Sequence, residues 1–238
     1  MLELNVRQIA LRSALATALF LFGGLLLGFV AASGFSQLPM HVPDSIQMLV
    51  SMAIILGILL AAGAAWGRAM ARLSRAGEPR RMAKAGALSF GPALVLSALV
   101  LSSLEVAIIE RGDGTSLPIH VVFTLLFVPA VFVVAGAGGL ALGIAQGDWR
   151  FAWRCALSSG LAGSAAFLLV NLGMDQLGWR VGAPGAAERA TMLTVMMAGS
   201  LGAALAGGGA IGGTLGKNAL RDASRPLDVD QYTLQDVK

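Results

Sequence analysis

The chain has 238 residues, a mean hydropathy of +0.77 and 13% charged residues, whereas a soluble domain carries about a quarter. This composition argues against an ordinary soluble enzyme and favours a membrane protein. The net charge of +4 and the pI of about 10.0 do not indicate nucleic-acid binding, because no basic domain lies outside the apolar segments.

Six apolar runs are long enough to cross the hydrocarbon core as helices. They are apolar on all sides and do not alternate as barrel strands do. The sequence therefore predicts an all-α, polytopic membrane protein with a six-helix transmembrane domain over residues 1–217 and a polar cytoplasmic tail over 218–238. The predicted spans are 11–32, 46–66, 86–109, 119–145, 153–172 and 190–215.

The basic residues indicate the orientation. Fourteen of the 17 lysines and arginines flank one side of the spans, and Arg111, Arg180 and Arg189 lie on the other. The positive-inside rule places the fourteen in the cytoplasm, which predicts an inner-membrane protein with both termini cytoplasmic. The tryptophans predict an interfacial belt, since Trp66, Trp149 and Trp153 fall at cytoplasmic helix ends and Trp179 in an outer loop.

Six helices joined by short outer loops make three hairpins, and the hairpins resemble one another. Each begins with basic residues, continues into a helix rich in Ala, Leu and Ser, and has proline in its outer loop. The second helices end at Gly67, Gly143 and Gly216, which are 76 and 73 residues apart. The near-constant period predicts a threefold internal repeat. The alternative is that helices rich in Ala, Leu and Gly resemble one another by composition alone.

Glycines spaced by four occur near the ends of several spans, including the stretch LAGGGAIGGTLG over residues 205–216. Residues four apart share a helix face, and in lipid a bare face lets a neighbouring backbone approach closely. We therefore interpret these glycines as helix-packing positions. They are Gly24, Gly28, Gly63, Gly67, Gly139, Gly143, Gly147, Gly208, Gly212 and Gly216.

A phosphate-binding loop is the competing interpretation of GGTLGK. The GxxxxGK[ST] pattern requires glycine at Ile211 and a hydroxyl residue at Asn218, and it must follow a strand. The pattern fails on all three points. Glycine that lines an aqueous path between helices stays open as an alternative.

Four polar residues are candidates for a site. Glu105 lies about one turn inside the outer end of the third span, and Arg111 is close enough to pair with it. A carboxylate there could bind a proton or a cation, or form a structural pair at the interface. His41 and His120 fall on the outer side with several methionines, an arrangement that could hold copper or haem. The alternative is that the methionines fill gaps between helices and the histidines cap loops.

No catalytic motif is visible, and no motif is specific enough to indicate a family. We predict a non-catalytic accessory or scaffolding subunit of a larger membrane complex, whose partners are other integral membrane subunits and lipids, with no cofactor. The first alternative is a small-solute or ion transporter or channel, a class to which repeats and the in-helix prolines Pro92 and Pro129 are suited. The second is an outer-side copper or haem protein.

Overall fold

A computed structural model describes residues 6–37, 43–74, 78–110, 119–178 and 186–224. Within these ranges the side chains of 98–110, 119–123, 186–193 and 221–224, and of a few single positions, are not described. All regular elements in the described ranges are helical. The α-helices are α1 (Val6–Thr17), α2 (Gly23–Ser36), α3 (Asp44–Ser74), α4 (Pro79–Glu110), α5 (Ile119–Ala145), α6 (Trp149–Gln176) and α7 (Ala186–Ser224).

Each of the six apolar runs lies within a helical segment, and five of these segments are long and apolar enough to cross a membrane. The candidate spans in the described residues are Val6–Phe35, Ser45–Leu73, Thr124–Ala145, Trp149–Gln176 and Thr194–Leu220. The chain is therefore an all-helical protein with several membrane-spanning helices. The remaining helix, α4, has 32 residues.

Most helices extend beyond the predicted spans. The apolar run marks only the part of the helix that lies in the hydrocarbon core. The backbone also forms hydrogen bonds beyond this part when the helix continues into the interface. The largest difference is at α7, which continues to Ser224 through the first residues assigned to the tail. Residues 225–238 lie outside the described part of the chain.

The first span is not one uniform helix. A π-helical turn, Ala18–Phe22, joins α1 to α2, and the sequence pattern did not predict it. The Thr17 hydroxyl donates to the carbonyl oxygen of Ser13 at 2.7 Å immediately before this turn, a bond that bends helices. The consequence is a change of neighbour: α1 packs along α7, whereas α2 packs along α3.

Neighbouring helices in the chain pack against one another, and α7 packs against α1, so the bundle closes into a ring. The α3–α4 connection and the α5–α6 connection lie at the same end, which we call the inner end. The opposite end, where α2 joins α3 and α6 joins α7, is the outer end. Leucines of several helices are exposed around the outside, which suits a surface that faces lipid.

The main hydrophobic core lies at the inner end. It contains buried side chains from α3 to α7, among them Trp66, Met70, Met82, Leu142 and Leu215. These side chains fill the centre of the ring, so the bundle is closed there by packed apolar groups.

Trp66 lies in this core and not at the interface, which corrects its assignment to the tryptophan belt. Its side chain is fully buried, whereas Trp149 and Trp153 are 58% and 48% exposed. The indole nitrogen of Trp66 donates to Thr17 Oγ1 at 2.9 Å, and its ring packs edge-on against Phe90 at 5.2 Å. A buried tryptophan needs a partner for its N–H, and α1 supplies one inside the bundle.

The substitution Trp66→Phe is expected to lower the stability of the protein by about 2 kcal/mol, because it removes a buried hydrogen bond and leaves a void. The measurement is the midpoint of thermal unfolding in detergent. Trp153→Phe is the matched control, since its half-exposed ring makes no such bond, and it should leave the midpoint nearly unchanged. Equal midpoints for the two variants would contradict the buried role of Trp66.

Candidate functional site

Glycines bring the backbones of neighbouring helices close together along three seams, in which α3 meets α4, α5 meets α6, and α7 meets α1. At each seam a glycine of the first helix faces a carbonyl oxygen of the second. A Cβ placed on the glycine would lie 2.5, 2.5 and 2.9 Å from that oxygen, too close for any side chain. The three pairs are Gly63 with Gly86, Gly139 with Cys155, and Gly208 with Ser13.

The same register continues one turn further along each seam. On the first helix of each seam, a second glycine lies four residues after the first. It faces the Cα atom of an alanine on the second helix, and this alanine lies three residues before the residue whose carbonyl oxygen is named above. A Cβ on these glycines would lie at or below 3.0 Å from that Cα atom. The pairs are Gly67 with Ala83, Gly143 with Ala152, and Gly212 with Ala10. The three seams therefore repeat the same backbone contacts at the same spacing.

This geometry changes the alignment expected from the sequence. Gly212, and not Gly216, is the counterpart of Gly67 and Gly143, because these three glycines make the equivalent contact. The last glycine of each helix is therefore not the position that corresponds between the hairpins. Gly216 lies opposite Val6, where a Cβ would be 3.2 Å from Cγ1. Gly147 falls after the end of α5 with φ of +78° and no neighbour within 4 Å of a Cβ, so it is a turn residue.

The remaining two glycines of the predicted set lie inside the first hairpin. A Cβ on Gly24 would meet the Cβ of Ala62 at 2.6 Å, whereas Gly28 faces Ile55 at an ordinary 3.5 Å. Gly24 thus marks a close approach of α2 to α3, and Gly28 marks a position where a small side chain has room.

Side-chain hydrogen bonds reinforce the contacts between helices. Ser159 Oγ of α6 donates to the carbonyl oxygen of Ala135 in α5 at 2.9 Å, and Ser97 Oγ of α4 reaches that of Ala130 in α5 at 3.2 Å. Ser13 Oγ donates to the sulfur of Met70 at 2.8 Å. Sequence reasoning missed these residues. The available signal was the spacing of four between Ser13 and Thr17, which puts both hydroxyls on one face of α1.

The side chains of the core also follow the register of the seams. Three residues after the first glycine of each seam stand Trp66, Leu142 and Ile211, which are all buried. Four residues before each facing carbonyl stand Met82, Phe151 and Ile9, which are also buried. Each group contains one buried side chain from each seam, and all of them except Ile9 belong to the core at the inner end.

A cavity of about 250 Å³ lies in the ring above this core. In the described part of the chain its lining comes from every helical segment except α6. Trp66, Phe90 and Ile211 form its inner end, while Leu25 and Ser200 lie toward the outer end. All of these lining residues are uncharged, and most are apolar.

The side chains of the four polar candidates all lie outside what the structure describes, so their pairing stays a prediction. Glu105 lies in α4 and His120 in the first turn of α5, and the side chains of both are outside the description. Arg111 and His41 lie outside the described residues altogether. The described residues contain no group of three His, Cys, Asp or Glu side chains that could hold a metal ion.

Gly212→Ala is expected to destabilise the bundle by about 1–3 kcal/mol, because the added methyl overlaps Ser13 and forces α7 away from α1. Thermal unfolding in detergent measures the loss. Gly67→Ala and Gly143→Ala should behave alike, since their contacts are equivalent.

Gly213→Ala is the matched control, because it changes the adjacent residue and has no neighbour within 4 Å. It should be neutral or stabilise by up to about 1 kcal/mol through helix propensity. A loss as large as that of Gly212→Ala would show that the seam is not the cause.

Comparison of the chain with protein-family models, with curated protein sequences and with solved structures gives no match. The function is therefore inferred from the geometry of this bundle alone.

Proposed function

We propose that the protein is a non-catalytic integral membrane subunit, with an accessory or scaffolding role in a larger membrane complex. In this proposal six helices span the membrane as three hairpins of one repeated unit, and both termini are cytoplasmic. Its partners are other integral membrane proteins and lipids.

The observation that carries the proposal is the absence of a polar interior in the described part of the chain. The buried polar side chains there are neutral and few: Ser13, Thr17, Ser97, Thr124, Ser159, Ser164 and Asn171. An ion or polar-solute path needs charged or convergent polar groups near the midplane. The inner end of the bundle is filled by apolar side chains. The surfaces left for contact with other proteins are the outward-facing sides of its long helices.

The contacts at the seams support the repeat. Composition alone makes helices similar in residue type, but it does not place a glycine against the equivalent carbonyl three times. The sixth span is supported by α4, which packs between α3 and α5 as the other helices pack between their neighbours.

The transport alternative retains two supporting observations. A cavity lies inside the ring, and the π-helical turn borders it; such turns occur often at functional sites. The lining of the cavity fits an apolar substrate better than an ion or a sugar, because no charged residue is among the described lining residues.

The orientation can be tested by cysteine labelling in a Cys155→Ala background. Glu78, in the inner α3–α4 connection, and Leu177, after α6 at the outer end, are both exposed. We expect an impermeant maleimide to label Leu177→Cys in intact cells and Glu78→Cys only after permeabilisation. Labelling of both from the same side would contradict the proposed number of spans, and the reversed pattern would contradict the orientation.

The subunit role predicts that other membrane proteins purify with the tagged chain from its native membrane in a mild detergent, at stoichiometric ratio by mass spectrometry. Gly213→Ala, which leaves the seams intact, should retain the same partners. A monodisperse lone chain that moves a solute across reconstituted vesicles would contradict the subunit role and favour transport.

A further inference from the structure

In the described residues the packing between neighbouring helices is not equally continuous around the central cavity. Between α5 and α6 the packing continues outward: Phe132 covers Gly160, and Ser164 Oγ reaches the carbonyl oxygen of Val128 at 3.3 Å. Between α7 and the first span, which consists of α1, the π-helical turn and α2, the packing does not extend outward along the whole span. α1 packs on α7, but beyond the π-helical turn α2 and α7 do not form a packed pair in the described residues.

The divergence of α2 and α7 is visible in what each of them contacts. Gly24 and Gly28 of α2 face α3, at Ala62 and Ile55. Gly199 and Gly202 of α7 face α6, at Phe167 and Val170 respectively. The two helices pack on opposite neighbours and contact each other little in the described residues, and we call the space between them the lateral gap. The cavity adjoins this space, since it is lined by Leu25 on one side and Ala204 on the other.

The chemistry of the lining demands an apolar occupant. The Thr17 hydroxyl accepts from the Trp66 indole and donates to Ser13. The Ser97 hydroxyl is bonded to the carbonyl oxygen of Ala93 at 2.7 Å. Both hydroxyl protons are thus already donated within the protein, and the third hydroxyl of the lining, Ser200, lies toward the outer end. A polar ligand would therefore lose its water for few partners.

The size and shape of the cavity fit a hydrocarbon chain. An apolar cavity of about 150 Å³ is enough to hold benzene, and this one has about 250 Å³. Its α7 lining extends from Ser200 to Ile211, which is about 16 Å at the helical rise per residue. An elongated apolar space suits a flexible hydrocarbon chain better than a compact ring.

We propose that the cavity binds one acyl chain of a membrane phospholipid, which enters laterally between α2 and α7 and ends against Trp66. The surrounding lipid supplies this chain at high concentration, and the cavity walls gain dispersion contacts that an empty space lacks. The head group stays outside the gap. The site does not depend on the role of the protein as a subunit, so either proposal can fail alone.

Quenching of Trp66 fluorescence by brominated lipid tests the proposal. Trp149, Trp153 and Trp179 are replaced by Phe, and the full chain is placed in phosphatidylcholine vesicles with or without bromine near the methyl end of one acyl chain. Trp66 is fully buried, so bulk lipid does not contact its ring. We expect about twofold lower emission in brominated vesicles, because a resident chain brings bromine into contact range of the indole.

A variant that retains only Trp153, in vesicles with bromine nearer the head group, is the positive control for contact with lipid, since that ring is 48% exposed. Quenching of Trp153 without quenching of Trp66 would overturn the proposal. That result would be expected if the cavity were empty, or if it held an isoprenoid or a helix of a partner.

Filling the cavity gives a second test. Ala204→Phe places a ring in the lining and should restore Trp66 emission in brominated vesicles. Leu205→Phe is its matched control, because the next residue on α7 is exposed on the outside, and it should leave the quenching unchanged. Equal quenching in both variants would overturn the site.

Photo-crosslinking keeps the test valid if Ala204→Phe does not fold. The unsubstituted protein is placed in vesicles that contain a phospholipid with a diazirine on its acyl chain, and the adducts are mapped by mass spectrometry. Adducts on Phe90 or Ala130, which are buried from bulk lipid and line the cavity, are expected. Adducts confined to outward residues such as Leu161 and Leu169 would overturn the proposal.

Discussion

The close approach of backbones at the glycine seams is the constraint on which the rest of the bundle depends. In lipid the hydrophobic effect does not draw helices together, so association relies on van der Waals contact and on the few hydrogen bonds between helices. Because Gly63, Gly139 and Gly208 have no side chain, their helices can contact the carbonyl oxygens of the neighbouring helices directly. The register fixed there brings Trp66, Leu142 and Ile211 into the centre, where they close the inner end.

Polar groups inside the bundle serve the same packing. Ser159 and Ser97 share their hydroxyl protons between a carbonyl oxygen of their own helix and one of α5. The indole of Trp66 donates to Thr17. Each of these bonds adds specificity at a place where apolar contact alone would allow helices to slide. The bundle is therefore held in register by neutral groups, which cost far less to bury in lipid than charges.

The sequence was sufficient to predict the helical membrane class, because long apolar runs have a length scale set by the bilayer. It also located the glycines, because a spacing of four identifies one helix face. It could not show which helix that face contacts: the partner of Gly212 is in α1, almost the whole chain away. The alignment of Gly216 with Gly143 failed for that reason, and Gly147 was included because spacing does not reveal where a helix ends.

Other features depend on three-dimensional arrangement in ways that local pattern does not record. The burial of Trp66 follows from an acceptor on a different helix, Thr17, whereas Trp153 has the same residue type and stays exposed. The π-helical turn Ala18–Phe22 has no distinctive composition. The cavity is lined by residues of several helical segments, and no property of any one segment alone indicates it.

The three seams differ in one respect, which is how they are connected along the chain. Short connections join α3 to α4 and α5 to α6, so those pairs can dock as soon as both helices are inserted. The seam between α1 and α7 unites two helices between which every other described helix is synthesised. During biogenesis the small-residue face of α1 therefore stays without its partner until α7 has been made. A ribosome that stops before α7 leaves the ring open, with this face of α1 uncovered in the membrane.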